Sequence, residues 1–292
     1  MIGFTTLKRV LLATAALGFA AHAAAANLTL DVYNPGTNAI FPVTSVLVSG
    51  EKDAILVDAQ FGKSQAEQVV EKIRASGKHL TTIYISHGDP DYYFGLDTLT
   101  QAFPDAKVLA SQPTVDHINK TVAGKLAFWG PKMGADVPAK TIVPGVLKGD
   151  SLMLEGQKLQ VVGLKGKQPD RSFVWIPSLK AVVGGVVVAE NIHVWMADTQ
   201  TAQSHADWLQ NLHSIETLKP NTVVPGHYLG NSSRSLASVK FTADYIKAFD
   251  VETAKAKDSA ALIAAMKKRY PTLGEESSLE LSAKVAKGEM QW

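Results

Sequence analysis

Two hydrophobic rhythms alternate along this chain. Short apolar or period-two runs read as strands: "NLTLDVY", then "TNAIFPVTSVLVSG" and "DAILVDAQFG", separated by turn residues. "KSQAEQVVEKIRASGK", Lys63 to Lys78, carries apolar positions at helical spacing and stops at Gly77. The strand "TTIYIS", a turn, a helix "DYYFGLDTLTQAFP" and the strand "AKVLAS" follow. "PTVDHINKTVAGKLAFWGPKM" starts as a helix and is expected to turn irregular. The second half repeats the style. "TIVPGVL", "SLMLEG", "QKLQVVGL", "SFVWIP" and "KAVVGGVVV" read as strands, "TAQSHADWLQNLHSIETLK" as an amphipathic helix, and "NTVVPGH" as a strand. From about Ser232 the tail is mostly helical. Strand clusters alternating with helices in both halves predict a layered α/β fold, with helices outside packed sheets. Functional groups in such folds gather on strand-end loops, which brings "ISHGDPD" and "VVPGH" forward.

Composition narrows the class. The 292 residues are 46% hydrophobic and 19% charged, as in an ordinary globular protein, and the net charge of +2 gives no ground for nucleic acid or an anionic membrane as partner. Lys8 and Arg9 precede the apolar run Val10 to Ala21, and "HAAAAN" follows with small-residue sites after Ala23 or Ala26. Residues 1–26 therefore read as a signal peptide. The remainder, 27–292, is expected to be one periplasmic or secreted domain with no stable membrane association, its part beyond about 232 a helical extension. Cysteine is absent, so disulfides, thiolate ligands and a thiol nucleophile are excluded.

The chemistry-bearing stretch is "SHGDPDYYFG", Ser86 to Gly95. His87, Asp89 and Asp91 alternate across a tight turn, a donor set that suits zinc, manganese or iron(II). The same residues also make a good helix start: Asp89 as N-cap, Pro90 at the first helical position, Asp91 in the first turn. A second histidine, His227, follows Gly226 at the end of another buried strand. An imidazole there needs a polar partner.

Together these features resemble the metallo-β-lactamase superfamily. Its H-x-H-x-D-H motif is met here by His87-Gly88-Asp89-Pro90-Asp91-Tyr92, with Gly95 following. Its early Asp-x-Gly strand end is similar to "ILVDAQFG", with Asp58 and Gly62, and its late "PGH" matches Pro225-Gly226-His227. The likeness runs from about residue 28 to 230 and implies an αββα sandwich with the site at one edge of the two sheets. The family's ligand set is incomplete here. Asp89 and Tyr92 replace two motif histidines, Lys167 or Gln168 stands near a third, and Gly184-Gly185 falls where an Asp bridging two metals is expected. The resemblance therefore implies a pooled single-ion site of His87, Asp89, Asp91 and His227, holding one divalent metal, zinc first.

The leading expectation is an exported hydrolase in which metal-activated water attacks a small ester, lactone or amide. Asp91 or Asp89 would handle the water's proton. Tyr92 would either donate to an oxyanion or pack at the helix start. Lys167 and Arg171 would bind a substrate carboxylate or form a solvated turn. His193 would reach the cleft or serve as a core histidine. Trp129, Trp175 and Trp195 would line an apolar pocket or fill the core. His117 is expected to be structural. Two rival readings stand beside this one. The first is a metal-free pseudo-enzyme that binds a small molecule; the second is a metal-independent hydrolase or lyase using His87, His227 and the two Asp as acid and base.

Overall fold

A computed structural model describes Ile2 and residues 27–292. The expected signal peptide lies outside the described residues. Among those described, no helix is long and apolar enough to cross a membrane.

Two sheets face each other. The first has six strands in sequence order: β1 (Thr29–Tyr33), β2 (Ser45–Ser49), β3 (Asp53–Val57), β4 (His79–Ile85), β5 (Lys107–Ala110) and β6 (Gly145–Val146). The second contains β7 (Ser151–Leu154), β8 (Gln157–Val162), β9 (Phe173–Ile176), β10 (Ala181–Val183) and β12 (Thr222–Val223), in the order β12-β10-β9-β8-β7. A small parallel pair, β11 (Ala189–Glu190) and β13 (His227–Tyr228), completes the site edge.

Side-chain alternation builds the layers. On β3, Ile55 and Val57 point into the core between the sheets, while Ala54 and Leu56 point outward. That outer face is covered by α1 (Lys63–Ser76), α2 (Pro90–Tyr93), α3 (Leu96–Ala102) and α4 (Gln112–Met133). On β9, Val174 and Ile176 share the central core, while Phe173 faces a third cluster under α5 (Ala202–Thr217), α6 (Leu236–Lys255), α7 (Ser259–Arg269) and α8 (Glu276–Ala286). The result is a four-layer αββα sandwich.

Local readings shift in informative ways. The segment expected to turn irregular is one 22-residue helix, α4, ending at Met133. Pro131 lies inside its last turn, so the bond it cannot donate and the crowding of its ring affect only the end of the helix. "TIVPGVL" and "NTVVPGH" contribute only two-residue strands, because Pro144 and Pro225 supply no ladder donor. "KAVVGGVVV" breaks after Val183, where Gly184 and Gly185 take φ of 68° and 81°.

Candidate functional site

The site begins where β4 ends. Ser86 is fully buried; its backbone N–H donates to Asp58 Oδ1 at 2.8 Å and its hydroxyl to Asp58 Oδ2 at 2.7 Å. Gly185 N–H donates to the same hydroxyl at 2.6 Å, tying both sheets to one point. Asp58 thus anchors the loop from behind. Burial, its largest influence, pushes its pKa up to about 7.

Asp89 occupies the N-cap position of α2 but makes no side-chain cap bond there. Its carboxylate turns away from the helix. Oδ2 lies 3.1 Å from His87 Nε2; Oδ1 lies 3.3 Å from Lys125 Nζ and 3.8 Å from His117 Nε2. Burial alone would raise its pKa, but His87, His117 and Lys125 hold it well below the carboxylate range. His87 Nδ1 is 3.0 Å from the Asp170 carbonyl, which only accepts. Both of its ring nitrogens therefore face acceptors, which favours the protonated ring. Burial opposes that charge, but Asp89 outweighs it and leaves the pKa raised.

The second pair lies across the cleft floor. His227 Nε2 donates to Asp91 Oδ2 at 2.6 Å, and the Tyr92 hydroxyl donates to His227 Nδ1 at 3.2 Å. Tyr92 is fully buried, so the expected oxyanion role does not fit it; it orients His227 instead. Asp91 lines the cleft with its Oδ1 unbonded among the described residues.

Above this floor opens a cleft of about 620 Å³, counting the part open to solvent. Its walls are Phe41, Trp129, Trp195 and Trp292, and its polar floor is Asp89, Asp91, Lys125, His227 and Glu275. Phe41 meets Trp129 edge-on at 5.0 Å, and Trp195 meets Trp292 at 5.2 Å. Both of those indoles donate to Asp198, at 2.5 Å from Trp195 and 2.7 Å from Trp292. Burial raises the Asp198 pKa, and burial likewise raises that of Glu275.

The other expected residues distribute unevenly. His193 lines the cleft but is 1% exposed and bonded through Nδ1 to the Tyr245 hydroxyl at 3.0 Å. Lys167 is exposed, and Gln168 donates to the Ser204 carbonyl on α5. Arg171 is buried against the Trp208 ring, 4.1 Å from its centroid, with Nε and Nη2 unpartnered. None of these three lines the cleft. Trp129 and Trp195 form walls, whereas Trp175 packs under the second helical layer. Lys125, Asp198, Glu275 and Trp292 are functional neighbours that sequence reasoning passed over, and His117 belongs to the charge cluster rather than to the core alone. Lys125 follows His117 by eight residues, a little over two helical turns. That spacing on a predicted helix was the available signal.

The donor set does not fit the expected ion. Among the described residues no group of three or more His, Cys, Asp or Glu is placed to hold a metal. A histidine ligand needs a free lone pair, yet His87 and His227 each have both ring nitrogens engaged. The pooled site of His87, Asp89, Asp91 and His227 is replaced by two separate hydrogen-bonded pairs. Nor is there room for a bridging Asp. A Cβ at Gly185 would lie 2.3 Å from the Ser172 carbonyl oxygen, and one at Gly184 would lie 2.7 Å from Val57 Cγ1.

This architecture has relatives. It is similar to the metallo-beta-lactamase from Pontibacter korlensis, with a TM-score of 0.55 and 18% identity over 75% of this chain and 93% of that one. It is similar also to a metallo-beta-lactamase family protein from Thermus thermophilus, with a TM-score of 0.60 and 15% identity over 88% and 94%. Such identities speak for the fold alone. The uncharacterized protein YobT of Bacillus subtilis (strain 168) is 38% identical over 74 residues, 25% of this chain, and the match spans 31% of that protein's length. The metallo-beta-lactamase superfamily model matches residues 39–227, from the first sheet to the His227 that closes the cleft floor. On that match and this fold, the chain belongs to the metallo-beta-lactamase superfamily.

Proposed function

We propose that the protein is a hydrolase of a small ester, lactone or amide with an apolar body, and that its own side chains do the work usually given to a metal ion. The superfamily fold supports hydrolase-type chemistry. One observation carries the rest: the Tyr92–His227–Asp91 chain ends on an aromatic cleft beside a fixed ammonium, Lys125.

The aromatic walls seat the apolar body. Asp91 Oδ1 orients a water molecule and takes its proton as the water oxygen bonds to the carbonyl carbon. His227 holds Asp91 through Oδ2, and Tyr92 fixes the tautomer of His227 that donates there. Lys125 faces the developing oxyanion. Burial pulls its pKa down, but Asp89 and Asp198 more than compensate and keep it charged. When the intermediate collapses, the carbon–oxygen or carbon–nitrogen bond breaks and Asp91 returns the proton to the leaving group. The N-terminal pattern supports export, so the substrate would be met in the periplasm or outside the cell.

A panel of aryl esters and lactones, assayed with and without chelator, tests this. Turnover should resist chelation and fall roughly 10²–10⁴-fold in Asp91→Asn, the range for a lost general base. Turnover abolished by chelator and restored by zinc would instead support a metal-dependent hydrolase. Absence of turnover, with thermal stabilisation by an apolar ligand, would support a binding protein.

A further inference from the structure

We propose that Lys125 is the resident cation of this site: it takes the place of an ion at Asp89 and excludes divalent metals from that carboxylate. Asp89 stands at a ligand position of the superfamily motif. Here its Oδ1 faces Lys125 Nζ at 3.3 Å, and its Oδ2 lies 3.1 Å from His87 Nε2. An ammonium and a ring nitrogen already answer one carboxylate. A bound ion would need an Asp89 oxygen at about 2.0–2.2 Å, and it would have to share that oxygen with an ammonium of the same sign.

Lys125 cannot simply step aside. Its side chain is 14% exposed, and its Nζ sits 3.9 Å from Asp198 Oδ1 and 4.6 Å from the Trp292 ring centroid. Asp198 is held by the indole N–H groups of Trp195 and Trp292, so carboxylate, ring and ammonium fix one another. The opposite side of the floor offers no alternative, since His227 Nε2 is committed to Asp91. The buried Arg171 guanidinium adds positive charge that acts on His87. An ammonium also changes the chemistry available, because it supplies hydrogen-bond donors to an anion but no Lewis-acid orbital.

Metal binding tests this independently of turnover. The full chain, purified without chelator, is analysed for metal by plasma mass spectrometry, and its melting temperature is measured in series of zinc and manganese concentrations. The wild type should carry no stoichiometric ion and show no saturable rise in Tm. Lys125→Arg should behave identically. Lys125→Gln should gain a saturable zinc-dependent rise, because Asp89 is then released to coordinate together with His87 and His117, whose Nε2 atoms lie 3.1 and 3.8 Å from its oxygens. One ion per wild-type chain would overturn the proposal, and so would a folded Lys125→Gln variant as blind to zinc as the wild type. Should Lys125→Gln fail to fold, Lys125→His, which exchanges the cation for a lone-pair donor, must bind zinc; its failure to do so would likewise overturn the assignment.

Discussion

His193 shows what burial does to a single titratable group. Desolvation lowers its pKa to about 4, well under the ordinary value near 6.5. In the folded chain the ring is therefore neutral while the unfolded chain still binds a proton below about pH 6.5. Stability is fully present above that value and is lost as pH falls toward 4, by up to about 3 kcal/mol. His193→Gln, which can still meet the Tyr245 hydroxyl, should flatten the fall in Tm across that window; an unchanged acid profile would remove His193 as the cause. Tyr92 permits a second residue-scale test. Its hydroxyl acts on Asp91 only through His227, so Tyr92→Phe should lower kcat roughly tenfold, the worth of about one hydrogen bond, and leave KM unmoved. A matching loss in KM would make it a binding residue. At this scale the sequence makes His87, Asp89, Asp91 and His227 visible by type and order. It does not reveal which partner each would choose. Asp89 carries every mark of an N-cap, yet the ammonium of Lys125 and the ring of His87 attract its carboxylate more strongly than the short α2 does.

Elements place those residues, and here small backbone facts decide. β10 stops at Val183, and Gly184-Gly185 follow it because the chain there passes against Ser172 and Val57 with no space for a side chain. Gly185→Ala, at φ of 81° and with a Cβ 2.3 Å from a carbonyl oxygen, should destabilise by about 2 kcal/mol or more in chemical denaturation. A neutral result would mean that the loop at 163–172 yields easily. Helix α4 brings Lys125 and Trp129 to the cleft and His117 to within 3.8 Å of Asp89, and Trp129 arrives there because the helix continues through "AFWGPKM". A segment that turns irregular at no fixed point leaves the register of Lys125 and Trp129 against His117 open. The Trp292 wall was equally hidden, since contact between residues 195, 198 and 292 leaves no local trace in a sequence. Removing the indole in Trp292→Ala should widen the cleft and leave Asp198 held by Trp195 and Lys125. Under the hydrolase reading the preference should then shift toward bulkier acyl groups, seen as a changed ratio of kcat/KM across an ester series. An unaltered ratio would show that the walls do not select substrate.

On the scale of the whole molecule, hydrophobic rhythm was the most legible property, because alternation along β3 and β9 directly encodes which layer each side chain enters. The role of the last sixty residues was less legible. Their Ala- and Lys-rich helices look like an appendage, and the family match ends at residue 227. Yet Tyr245, Ile246, Phe249, Leu262, Met266 and Leu279 are each at most 2% exposed and share one cluster with Phe173, Val182 and Trp208. Burying each such side chain contributes about 1.5–3 kcal/mol, so the six together match the roughly 5–15 kcal/mol by which a domain is normally stable. These helices also carry Glu275 to the cleft floor, and Ser282 accepts the Met196 backbone N–H through its hydroxyl. They are a structural layer of the sandwich, and the site depends on them. A chain cut after residue 234 exposes the outer face of the second sheet and the apolar side of α5. It should be insoluble, or should bind a hydrophobic dye and melt without a cooperative transition. A soluble truncated chain with a sharp melt would show instead that the first three layers fold unaided and that α6 to α8 were added to a finished sandwich.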